Sequence, residues 1–218
     1  LSRPFELAGG TQFINASVGI ASFPKDGDDA DTLLRHADMA MYRAKERGRG
    51  SMACFEARMN DEVQLRAQLE AELRIALRDE QFVLHYEPLV VPDTGLPVGA
   101  EVLIRWRHPV RGMVSPAHFI PVAEDTGLIV PIGSWVLRRA CEQFMHWQRE
   151  GLPLSVISVN VSVRQFQRPD FVAEVRDVLE ATGMPPQGLK LELTESMLMG
   201  DATAVERALD ELTGLGVS

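Results

Sequence analysis

Three short stretches carry oxygen-bearing side chains at spacings that could do chemistry. In Glu101-Val102-Leu103-Ile104-Arg105-Trp106, Val102, Ile104 and Trp106 alternate with Glu101, Leu103 and Arg105. Period-two alternation predicts a β-strand, here with a carboxylate and a guanidinium on the same face. Unpaired buried charge is costly, so a strand covered on both faces needs a reason to hold them. The stretch 155–163 sets Ile157, Val159, Val161 and Val163 against Ser158, Asn160 and Ser162. The stretch 189–195 sets Leu189, Leu191 and Leu193 against Lys190, Glu192 and Thr194. Three apolar strands that each aim oxygen ligands off the other face are what a hard-cation site requires. The plainer alternative is a structural ion pair between Glu101 and Arg105. Asn160, taken alone, fits a satisfied core amide as well.

The surrounding pattern says which elements would position these residues. Phe82–Val91 and Val98–Trp106 read as strands joined by the turn Pro92-Asp93-Thr94-Gly95, a link short enough to make them antiparallel. Beyond them the rhythm becomes helix 115–127, helix 132–150, strand 154–163, helix 170–182, strand 189–195 and helix 201–213. Strands alternating with helices imply parallel crossovers, in a barrel or an open sheet. The final residues Gly216-Val217-Ser218 fall where a further strand would begin.

Upstream, Thr11–Phe23 reads as a strand with Ile14, Ala16, Val18 and Ile20 on its apolar face. A helix follows, capped by Asp31 or a neighbouring Asp, with Leu33, Leu34, Ala37, Ala40, Met41 and Ala44 on one side. Lys45, Arg47 and Arg49 crowd its end, where the helix dipole favours cations. Another helix begins at Asn60 or Asp61, with Leu65, Leu69, Leu73, Ala76 and Leu77 on one face. The expected division is residues 1–56, a connecting helix over 57–80, and residues 81–218.

Bulk properties narrow the function classes. A net charge of −9 argues against non-specific binding to a DNA or RNA polymer. It leaves room for a small anion, because a bound cation or a single arginine reverses the local field. Cys54 and Cys141 sit in no ligand spacing and read as reduced thiols. No apolar run or leader is visible, which predicts a cytoplasmic protein. The chain opens Leu-Ser-Arg-Pro without Met, so a longer parent is expected, with room for an upstream sensor or membrane region. His36, His85, His108, His118 and His146 show no ligand spacing. Trp106, Trp135 and Trp147 read as packing residues.

Glu101-Val-Leu-Ile-Arg-Trp-Arg-His-Pro109 resembles the signature of the EAL family of bacterial cyclic di-GMP phosphodiesterases, with Val102 at the usual central Ala. Tyr86-Glu87-Pro88, Phe119-Ile-Pro-Val-Ala-Glu124, Asn160-Val-Ser162 and Glu192-Leu-Thr-Glu-Ser196 extend the likeness in consistent order. Several motifs in series are far more specific than one. Residues 1–50 resemble the end of a GGDEF (diguanylate cyclase) domain through Ala16-Ser-Val-Gly-Ile-Ala21 and Ala37-Asp-Met-Ala-Met-Tyr-Arg-Ala-Lys45. Lys45 and Arg49 match positions that touch GTP phosphates in active cyclases.

The resemblance implies an α/β fold: a partial TIM-like (β/α)8 barrel with an antiparallel first strand, plus an α+β GGDEF tail. It implies hydrolysis of cyclic di-GMP to pGpG with Mg2+ or Mn2+. By motif position Glu101, Asn160 and Glu192 resemble metal ligands, Arg105 a phosphate contact, and Glu195 the glutamate that steadies an active-site loop, which makes Glu101 and Glu195 the catalytic pair. Glu87 stands where the family usually has Gln. The family's later motifs, with the paired aspartate, lysine and glutamate, do not occur in these 218 residues, which by themselves are expected to give no turnover. The alternative reading is a non-catalytic cyclic di-GMP-binding or scaffold protein. Half a barrel leaves sheet edges open, which implies a longer chain or a homodimer that covers them.

Overall fold

The computed structural model describes residues 5–7, 10–12, 15–46, 50–193 and 202–218. The chain divides into two compact units, Leu1–Gln68 and Leu69–Ser218.

In the first unit, β1 (Phe5–Leu7) pairs antiparallel with β2 (Gly10–Gln12), and β3 (Val18–Ile20) pairs parallel with β4 (Met52–Cys54). Between β3 and β4 runs α1 (Ala30–Glu46). Its cap is Asp29, whose carboxylate accepts from the Thr32 backbone N–H at 2.8 Å and the Thr32 hydroxyl at 2.9 Å. Such a cap satisfies an N–H that the helix cannot pair internally. Ala40, Ala44, Ala53, Phe55 and Met59 form the core, and the His36 ring stacks on Phe55 at 3.8 Å.

Three expectations for this unit need correction. The strand over 11–23 is not continuous: β2 stops at Gln12, Ile14 lies outside the described residues, and residues 15–17 are not in a strand. The face assignment is also inverted. Val18 and Ile20 are exposed, whereas Gly19 faces α1, where a Cβ would stand 1.8 Å from the Ala37 carbonyl oxygen and 2.2 Å from the Met41 nitrogen. The helix backbone lies so close that only glycine fits beneath it. Apolar periodicity points to the wrong side here because the packed residue has no side chain. Leu34, assigned to the apolar face of α1, is 70% exposed.

In the second unit α2 (Arg58–Arg78), which begins before the division, contributes Leu69, Leu73 and Ala76 to the core. β5 (Phe82–Val90) and β6 (Pro97–His108) form the antiparallel hairpin read from the sequence. β7 (Gly112–Val114), which the sequence reading missed, folds back on the end of β6. The helices α3 (Pro116–Thr126) and α4 (Ile129–Arg149) follow. β8 (Val156–Asn160) then pairs parallel with β6, and β9 (Leu189–Glu192) parallel with β8.

α6 (Phe171–Thr182) connects β8 to β9, after a single-turn helix α5 (Val163–Phe166). The expected strand over 154–163 is thus shorter at both ends. Ser162 leaves it to build a capping box with Gln165, because a hydroxyl three residues before a Gln satisfies two orphan donors at once. α7 (Ala202–Leu215) closes the sequence of helices. Ser218 then lies beside β9, donating to the Leu189 carbonyl at 3.2 Å and accepting from the Leu191 N–H at 2.7 Å. These two bonds have the pattern of a parallel pairing, at the position where the rhythm predicts a strand.

The sheet order β5-β6-β8-β9, with helical crossovers and one antiparallel end strand, is an unclosed arc of a barrel among the described residues. One face of the arc, carrying Val102, Trp106, Ile157, Val159, Leu189 and Leu191, packs with Phe119, Ile132 and Phe144 from the helices. Burial of this apolar face is the main stabilising term.

Candidate active site

Strand register brings the oxygen-bearing side chains together. Across the parallel strands Glu101 pairs with Ser158, Ser158 with Lys190, and Asn160 with Glu192. Successive side chains alternate faces, so Glu101, Arg105, Ser158, Asn160, Lys190 and Glu192 all project from the face opposite the helix-packed core. Asn160 Nδ2 donates to Glu101 Oε1 at 3.0 Å. This amide thus joins two of the three expected ligands directly, and Glu192 is the cross-strand neighbour of the same Asn160.

Glu192 is held from below. The Ser158 hydroxyl donates to its Oε1 at 2.6 Å, and the Lys190 ammonium lies 3.0 Å from the same oxygen. The Ser158 hydrogen bond, with the Lys190 hydrogen bond second, holds the Glu192 carboxyl below its ordinary value despite partial burial. A carboxylate with a depressed pKa keeps its stabilising contribution above the unfolded pKa and loses it as pH falls through the folded one. Glu192 is therefore expected to stay ionised, and its contacts intact, into more acidic solution than an ordinary Glu. Carbon-detected NMR titration of its carboxyl checks this, and in the Ser158→Ala variant the midpoint should move up towards the ordinary value.

Arg105 does not pair with Glu101. Its guanidinium donates to the Ile104 carbonyl oxygen at 2.9 Å, which answers the structural ion-pair alternative. It lines a cleft of about 500 Å³ together with Leu103, Glu124, Ile132, Asn160 and Gln165. Gln165 sits over Gly133 of α4, where a Cβ would come within 1.8 Å of its amide nitrogen. That notch seats the turn leaving β8 just after Asn160. Glu195 lies outside the described residues, as do Thr194, Ser196 and Arg49.

The sequence reading passed over Ser158 and Lys190 as members of this site. Their signal was their place on the same alternating face two residues before Asn160 and Glu192. It also missed that Glu87 stands directly opposite Glu101 in the β5–β6 ladder. Like charges in that position repel, so the carboxylates raise the local negative potential. Two carboxylates and an amide oxygen form a set suited to Mg2+ or Mn2+ and unsuited to soft metals. The donor set fits such a cation: Glu192 Oε1 accepts both intramolecular donors, so Oε2 remains for a ligand, and Asn160 keeps its Oδ1 when Nδ2 is used on Glu101.

Comparison with known proteins follows the same outline. Over 217 residues the chain is 43% identical to the bifunctional diguanylate cyclase/cyclic di-GMP phosphodiesterase MucR of Pseudomonas aeruginosa, covering 100% of this chain and 32% of that protein. It thus spans about a third of this relative's length. The solved structure of the PaMucR phosphodiesterase in complex with c-di-GMP superposes with a TM-score of 0.67 at 44% identity, over 69% of this chain and 61% of that one. The EAL enzyme Bd1971, bound to cAMP and cyclic di-GMP, gives a TM-score of 0.69 at 28% identity, over 89% of this chain and 51% of that one. Residues 1–51 match the diguanylate cyclase, GGDEF domain. Residues 70–218 match the EAL domain, and the chain belongs to the EAL domain family.

Proposed function

We propose that the protein carrying this chain hydrolyses cyclic di-GMP to pGpG at the face shared by β6, β8 and β9. The observation that supports it most is the convergence of Glu101, Asn160 and Glu192 from three adjacent parallel strands, with Asn160 bonded to Glu101 at 3.0 Å. Relatives named as cyclic di-GMP phosphodiesterases match nearly the whole chain, among them MucR.

In this reading Glu101, Asn160 and Glu192 hold Mg2+ or Mn2+. A bound divalent cation supplies a lowered water pKa and neutralises charge on the phosphodiester. Glu101 and Glu192 provide the negative charge that attracts it, and Asn160 holds Glu101 by its amide hydrogen bond. Arg105 contacts a phosphate oxygen; its fork is suited to that geometry, and its present bond to a backbone carbonyl is one a charged phosphate would outcompete. Glu195 steadies the neighbouring loop by its motif position. The same reading divides the chain into a GGDEF tail over 1–56, a connecting helix over 57–80 and the phosphodiesterase region over 81–218. A cytoplasmic homodimer with an upstream sensor goes with it.

The test is incubation of the full-length protein with cyclic di-GMP and Mn2+, with products separated by chromatography and identified by mass. The expected result is pGpG that disappears when EDTA is added. Binding of the intact dinucleotide with no pGpG under saturating Mg2+ or Mn2+ would favour a non-catalytic sensor instead.

A further inference from the structure

One carboxylate oxygen of Glu192 accepts two donors of different kinds. Ser158 is fully buried, yet polar, and its hydroxyl reaches Oε1 at 2.6 Å. Lys190 is about half exposed and places its ammonium 3.0 Å from that same oxygen. Both stand in one cross-strand row, one step before the row of Asn160 and Glu192. A buried hydroxyl needs a partner, and here the partner is the carboxylate itself. The rotamer of Glu192 is therefore set by a neutral donor from the neighbouring strand. The cation beside it comes from its own strand.

We propose that Ser158 and Lys190 are positioning residues that set the cation affinity of Glu192 in opposite directions. The inference rests on the metal-site reading given above. Ser158 fixes the carboxylate through a neutral hydrogen bond on Oε1 that brings no opposing charge, and the ordering it supplies outweighs the small loss of carboxylate basicity, so it raises affinity. Lys190 also orders the carboxylate, but its positive charge opposes any second cation brought to the same group. It acts as a built-in counter-cation that weakens divalent binding. Charge opposition at this range outweighs the ordering gained from one flexible, half-exposed side chain.

The experiment is calorimetric titration of Mn2+ into the full-length protein without nucleotide, so that turnover plays no part. Relative to wild type, Ser158→Ala should bind Mn2+ roughly 10-fold more weakly, the loss typical of a group that orients a metal ligand. Lys190→Gln should bind roughly 5-fold more tightly, a gain limited by solvent and salt. Lys190→Arg keeps the charge and should stay within about twofold of wild type. A merely structural role would weaken binding in every variant, so the opposite signs carry the test. If wild type binds Mn2+ and Glu101→Gln abolishes it, yet Lys190→Gln is unchanged or weaker, or Ser158→Ala is unchanged, the positioning inference is overturned and the site reading stands. If wild type binds no Mn2+, both fall.

Discussion

Replacing Glu101 with Gln is expected to lower cyclic di-GMP hydrolysis by the full-length protein about 1000-fold at saturating Mn2+. Gln preserves the length and planarity of the side chain and can still accept from Asn160, so the local geometry survives. What goes is one of the two carboxylate charges that the proposed metal site supplies. Lewis-acid stabilisation of a phosphodiester transition state is worth several kcal/mol, and about 4 kcal/mol corresponds to the expected factor. Stability should move the other way. Glu87 lies directly opposite Glu101 in the β5–β6 ladder. Removing the like charge relieves a repulsion of a few tenths of a kcal/mol, so the thermal midpoint should hold or rise slightly. Loss of activity with a retained midpoint is the behaviour of a ligand bought at some cost to the fold. Product chromatography beside a melting curve reads both. A fall of less than tenfold in pGpG formation would remove Glu101 from the ligand set.

Trp106→Ala should instead act on the fold. Trp106 is completely buried on the helix side of β6. Its ring meets Phe119 edge-on at 5.7 Å, Phe82 at 6.1 Å and His108 at 5.1 Å, and its indole N–H donates to Gln81 Oε1 at 3.1 Å. Truncation removes the packing, opens a cavity and strands a polar partner, a loss of about 3–5 kcal/mol. In a unit of this size that lowers the melting temperature by roughly 10 °C. Because Trp106 shares its strand with Glu101 and Arg105, the proposed cation binding should weaken as well, through loosened placement of β6. Differential scanning calorimetry checks the first effect, and a shift below about 3 °C would show that the aromatic cluster is not what anchors this strand.

Much of the site could be read from the chain because it depends on period-two alternation. Glu101, Asn160 and Glu192 each sit on the polar face of an otherwise apolar strand, and that property is local. The hairpin was legible for a similar reason: four turn residues cannot support a crossover. Where the reading failed, non-local packing had won. Val18 and Ile20 have the residue types of a buried face, yet Gly19 is the residue pressed against α1, since the helix backbone approaches too closely for any side chain. Ser162 looks like a continuation of alternation in β8, but its hydroxyl serves Gln165 as a helix cap. β7 is three residues long and owes its pairing to the end of β6. Glu195 lies outside the described residues.

By itself, the sequence determined the chemical types at the candidate site, the strands that carry them and the family to which the chain belongs. Those depend on residue identity and on the fixed geometry of an extended backbone. Only the tertiary structure decided which groups meet. Register between β6, β8 and β9 is set by helices packed across crossovers of dozens of residues, which no local pattern encodes. That register places Ser158 and Lys190 on one oxygen of Glu192 and turns Asn160 towards Glu101.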